Sequence, residues 1–143
     1  LDLLKRLKKE LNTSVVLITH NLGVVAGMAD RVAVMYGGRV AEVATVEEIF
    51  EQPKHPYIWA LLRAVPRLDR ATGGRLEAIA GSPPNMLQPP SGCPFHPRCP
   101  YAMNICAEEA PDVTTISDEH RAACWLLHPD APPVRFPQEV NEA

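Results

Sequence analysis

The chain has 143 residues, 46% of them hydrophobic and 22% charged, and 14 Lys+Arg against 17 Asp+Glu leave a formal net charge of -3. That is the composition of a soluble domain, or of one domain with an appendage, and it can bury a core. The weak field recommends neither nucleic acid nor an anionic membrane surface as a partner; no apolar run approaches the roughly 20 residues of a membrane span, and the start has no secretory-signal pattern.

"LDLLKRLKKELN" opens in helical period, with Leu1, Leu4, Leu7 and Leu11 on one stripe and the charges off it. No capping residue precedes it, so the chain is expected to be the C-terminal part of a longer protein. "TSVVLIT" follows, a β-branched run of strand length that predicts a central strand of a parallel sheet, covered on both faces and ending at His20. Asn21 is placed to cap a short helix over "NLGVVAGMAD". "RVAVMYGGRVAEV" sets two alternating runs around Gly37-Gly38, which predicts a two-residue hairpin at a sheet edge. Thr45 with Glu48 forms a capping-box pattern for a helix closed by Pro53, and "HPYIWALLRAVP" predicts a second helix with Pro56 in its first turn and Pro66 as its stop. Helix, buried strand, helix and edge hairpin together define the α/β class.

Beyond residue 66 the texture changes. Twelve of the 15 prolines fall from Pro83 onward and all four cysteines from Cys93 onward, with only "RLEAIAG" and "HRAACWLLH" as candidates for regular structure. A unit this rich in proline builds a ladder-bonded core with difficulty and needs a staple. The spacing Cys93-x5-Cys99-x6-Cys106-x17-Cys124 contains no C-x-x-C pair of the zinc-ribbon kind, whereas iron–sulfur clusters accept four thiolates at more varied spacing. On the residues alone, a metal site and four free or partly buried thiols stand level. His20, at the carboxyl end of the expected strand, is in the position where open sheets bind ligands, and position alone equally fits a turn residue.

The stretch "SVVLITHNLGVVAGMADRVAVMYGGRVAE" resembles the end of the nucleotide-binding domain of ABC transporters, in which a strand ending in Thr-His precedes a helix, an Ala-Asp-Arg stretch and a Met-Tyr-x-Gly-Arg hairpin. "KHPYIWALLRAVP" and "LEAIAGSPPNMLQPPSGCPFHPRCPYAMNICAEEAPDV" resemble the C-terminal extension of the oligopeptide/dipeptide class of these importers. The resemblance implies a fold: the end of a P-loop ABC-type nucleotide-binding domain over residues 1–52, an irregular cysteine-containing extension over 53–128, and a flexible tail over 129–143. It also implies that His20 is the switch histidine at the γ-phosphate of ATP, with Asn21 where the family usually has Asp. Members of the family with all four cysteines carry a [4Fe-4S] cluster, and Cys93, Cys99, Cys106 and Cys124 match them.

The chain has no G-x-x-x-x-G-K-[ST] loop, no signature loop and no hydrophobic strand ending in Asp-Glu. The family places these, with the Mg2+ ligands, upstream of the part that Leu1 begins, so ATPase activity is expected only of the intact protein. The implied partners are a second ABC ATPase subunit, homologous or identical, and two permease subunits, fed indirectly by a peptide-binding protein. The implied location is the cytoplasmic face of the bacterial cell membrane, held peripherally. Two rival readings are a free-standing metal-binding module without ATPase activity and a disulfide-stapled secreted piece; a reducing compartment disfavours the second. His55, Pro56 and Tyr57 are expected to dock the extension, Trp59 and Trp125 to anchor small cores with their indole N–H groups paired, and Arg98 to offset cluster charge.

Overall fold

The computed structural model describes residues 1–65 and 79–134. Pro66, most of "RLEAIAG" and the end of the expected tail lie outside the described residues. The elements in order are α1 (Asp2–Glu10), α2 (Leu22–Met28), β1 (Arg31–Tyr36), β2 (Arg39–Thr45), α3 (Val46–Glu51), α4 (Pro56–Arg63), α5 (Asn104–Glu108), β3 (Val113–Thr115) and β4 (Arg121–Ala123), with short 3-10 turns at His96–Arg98 and Trp125–Leu127.

The local signals act as expected. The Asn21 side chain accepts the Val24 N–H at 3.2 Å and starts α2. Gly37 and Gly38 take φ of 54° and 74°, the two positive values that a tight hairpin between β1 and β2 requires. Thr45 and Glu48 cap α3 reciprocally: Thr45 Oγ1 accepts the Glu48 N–H, and Glu48 Oε2 accepts the Thr45 N–H at 3.1 Å. His55 Nδ1 accepts the Tyr57 N–H at 3.1 Å and Pro56 occupies the first turn of α4.

Residues 13–19 differ from the expectation. No strand forms there, and Val16 and Ile18 are 91% and 96% exposed. A strand exists only as a member of a pair, and the described residues offer this β-branched run no neighbour on either side. The sheet that does form is antiparallel, four-stranded, and ordered β1-β2-β4-β3. Its second half comes from the cysteine-rich segment, so the hairpin is completed by strands nearly eighty residues further on.

Two cores meet around Tyr57. In the first, Val34, Ala44, Ile49, Ile58 and Leu62 are buried, with Leu22, Val32, Phe50, Tyr57 and Leu61 packed against them. In the second, Cys93, Phe95 and Cys106 are buried against Tyr36, Tyr57, Ile79, Met103 and Trp125, among others. The Tyr57 and Phe95 rings lie 5.3 Å apart, and Tyr36 meets Tyr57 at 4.6 Å and Phe95 at 5.1 Å. Such aromatic contacts each add about 0.5–1.5 kcal/mol beyond area burial, and here they join the helix start at His55–Tyr57 to the cysteine loop. Both indoles are paired, Trp59 Nε1 to the Pro53 carbonyl and Trp125 Nε1 to the Glu109 carbonyl, each at 2.9 Å.

Candidate functional site

The four cysteines are contributed by a loop, a 3-10 turn end, a short helix and the segment after β4. Gly92 makes the first juxtaposition possible. Its φ is +64°, and a Cβ there would lie 2.4 Å from the Cys106 carbonyl oxygen, so only glycine lets the loop run this close to α5. The Cys93 N–H then donates to the Cys106 carbonyl at 2.8 Å. Cys93 and Cys106 are buried, Cys99 and Cys124 half-buried, and all four are free thiols.

The thiols sense one another. Burial pushes Cys124 up to about 12, with Cys93, Cys99 and Cys106 adding to the rise, and pushes Cys99 up to about 11, with Cys93 and Cys106 adding. Burial raises Cys93 as well, with Cys106 adding and Arg39 opposing. Each sulfur also faces backbone N–H groups: those of Phe95 and His96 for Cys93, Tyr101 for Cys99, Leu126 for Cys124, and Met103 for Cys106 at 3.5 Å. Amides directed at sulfur favour thiolate over thiol, and desolvation works against them.

Among the described residues no group of three or more His, Cys, Asp or Glu side chains could hold a metal ion. A single zinc needs its sulfurs about 2.3 Å from one centre. The donor set is sulfur only, each thiol with a backbone amide beside it.

His20 lies far from this assembly in sequence and is exposed, at the bend between residues 13–19 and α2. The Thr19 Oγ1 accepts the Asn21 N–H at 3.0 Å beside it. Arg98 makes its hydrogen bonds to other groups. Its guanidinium donates to the Ala80 and Ile79 carbonyls, each at 2.9 Å, and to the Tyr36 hydroxyl at 3.1 Å, which fastens residues 79–80 and the 3-10 turn to the hairpin. His96 Nδ1 is 2.9 Å from the Cys93 carbonyl.

Glu42 was not singled out by sequence. Its carboxylate, fully buried, accepts the Lys54 N–H at 3.0 Å and the His55 N–H at 2.7 Å, and lies 2.7 Å from Nε2 of the equally buried His120. Burial raises its pKa against the pull of His120 and the two amides. The available signal was a glutamate flanked by alanine and valine in an apolar strand.

Residues 41–106 match the family described as Oligopeptide/dipeptide transporter, C-terminal region. The chain is 50% identical over 141 residues to an oligopeptide transport ATP-binding protein of Bacillus subtilis, covering 99% of this chain and 39% of that protein. It is 52% identical over 126 residues to a dipeptide transport ATP-binding protein of the same organism, and 50% identical over 125 residues to an oligopeptide transport ATP-binding protein of Salmonella typhimurium; each covers 88% or 87% of this chain and 37% of the relative. The chain therefore spans less than two fifths of the length of these relatives. Residues 41–106 carry the likeness of the C-terminal region of the oligopeptide/dipeptide transporter family. Along 99% of its length the chain is similar to part of a transport ATP-binding protein.

Proposed function

We propose that the protein containing this chain is the ATP-binding and ATP-hydrolysing subunit of a di- or oligopeptide ABC importer. The observation that carries this is the 50% identity to an oligopeptide transport ATP-binding protein along 99% of the chain. Residues 1–52 complete a P-loop ATPase domain, in which residues 13–19 gain sheet neighbours from sequence beyond this chain; residues 53–128 form the extension and 129–143 its tail. The subunit pairs with a second ATPase subunit and drives two permease subunits supplied by a peptide-binding protein, from the cytoplasmic face of the membrane. ATP and Mg2+ are held by loops outside these 143 residues. In this reading His20, exposed at the end of residues 13–19, donates a hydrogen bond to a γ-phosphate oxygen.

In this reading Cys93, Cys99, Cys106 and Cys124 hold a [4Fe-4S] cluster. What supports it is the mutual proximity of four free thiols, each facing a backbone amide. When bound, the cluster supplies a cross-link among four chain segments and a redox centre. The chain's own residues do the preparing: Gly92 and the amides seat the sulfurs, and Phe95 and Trp125 pack with Cys93 and Cys106.

The test of the ATPase reading is His20→Ala in the intact protein. Turnover should fall about 100-fold or more, as for removal of one preorganised donor to developing charge, while ATP affinity is retained. A variant that hydrolyses at the parent rate removes His20 from the active site.

A further inference from the structure

Cys124 is the ligand most remote in sequence, 17 intervening residues beyond Cys106, and the strand before it is only three residues long. β4 meets β2 through just two residue pairs, Glu42 with Ala122 and Val43 with Arg121. Two pairs are a weak hold. β3 pairs with β4, and the Ile116 and Ser117 N–H groups donate to the His120 carbonyl; toward β2, the start of β4 is tied by the contact of His120 Nε2 with Glu42 Oε1 at 2.7 Å, both side chains 2% exposed or less. The His120 N–H also donates to Ser117 Oγ at 3.1 Å, and its Nδ1 is 3.6 Å from Glu48 Oε1.

Glu42 points inward because of a bulge. Val34 pairs with Glu42 and Met35 with Val40, which leaves Ala41 as the extra residue and buries Ala41 and Glu42 together. The same carboxylate accepts the Lys54 and His55 N–H groups at the entry to α4. One buried group thereby ties the hairpin, the α4 entry and the approach to Cys124.

We propose that Glu42 is a positioning residue for the fourth cysteine: through His120 it sets the register of β4 on β2 and so delivers Cys124 to the other three thiols. The cluster assignment is a separate reading on which the iron measurement below rests; the delivery of the thiol does not depend on it. A hydrogen-bonded pair this deeply buried is well suited to the task, since removing either partner strands the other away from water. Exposed pairs elsewhere, such as Arg31 with Glu119 at 3.9 Å, hold far less.

The test reads each thiol separately. The intact protein is prepared metal-free as parent, His120→Leu and Glu42→Gln, alkylated at mildly alkaline pH without denaturant, and the modification rate of each cysteine is followed by peptide mass spectrometry. His120→Leu keeps the two amide bonds to Glu42 and is the deciding variant. Cys124 should react faster by roughly 100-fold, the scale of an unpaired buried ion partner, with Cys93 and Cys106 near the parent rate. A Cys124 rate unchanged in His120→Leu, or a uniform rise at all four thiols, overturns the proposal. In parallel, anaerobic iron loading should give about four irons in the parent and about three in His120→Leu, with the paramagnetic signature of a cluster that has lost one iron. A parent that binds no iron refutes the cluster while the alkylation result still decides the role of Glu42.

Discussion

His55 is 3% exposed, and burial alone lowers its pKa from the ordinary 6.5 to about 4. Its Nδ1 accepts the Tyr57 N–H, so the neutral ring carries its proton on Nε2 and caps α4 only in that form. As pH falls below 6.5 the unfolded chain takes up a proton that the folded chain refuses, so stability declines through that window and the whole contribution is lost near pH 4. The full difference is worth about 3 kcal/mol, of which about 2 kcal/mol is gone by about pH 5. His55→Asn retains a capping oxygen and does not titrate. Urea unfolding of parent and variant at about pH 7 and about pH 5 should show the parent losing about 2 kcal/mol more than the variant. Cys93, Cys99 and Cys124, all raised by burial, do not titrate in this range, and Glu42 is common to both proteins. Equal pH dependence in the two would refute the claim that His55 is buried neutral.

Replacing Gly92 by Ala should separate the Cys93 loop from α5, because the new Cβ meets the Cys106 carbonyl and the φ is left-handed; iron retention and protease resistance of the extension are expected to fall together, read by elemental analysis and limited digestion. Serine at any one of Cys93, Cys99, Cys106 or Cys124 should cost bound iron, since a hard hydroxyl replaces a soft thiolate; about one zinc and no sulfide in the anaerobic parent would instead replace the cluster by a zinc site. Thr45→Ala removes the capping box at α3, and a loss of about 1 kcal/mol in chemical denaturation is expected.

Legibility followed sequence distance. The Gly-Gly turn, the Thr45–Glu48 box and the His55-Pro56 helix start are written within a few adjacent residues, because caps and turns are local chemistry. The pairing of β4 with β2 and the bond from Glu42 to His120 span 78 residues, and no period or cap records them. A bulge at Ala41 also breaks the alternation that would have marked Glu42 as inward. Residues 13–19 show the converse: the apolar run records what a strand would bury against, and the described residues do not include it. The cysteine spacing left metal and free thiol level; the structure buries Cys93 and Cys106 in one cluster with Cys99 packed against it and leaves all four cysteines free.

Uptake of a labelled small peptide by cells is the most direct measure of the central claim, with the chromosomal gene deleted and then restored as parent or as His20→Ala. Deletion should abolish ATP-dependent uptake, the parent should restore it, and His20→Ala, expressed at the parent level, should restore about 1% or less, in line with the loss of a donor to the transferred phosphoryl group. Undiminished uptake in the deletion strain, or full restoration by His20→Ala, would contradict the assignment of this protein to peptide import driven through that histidine.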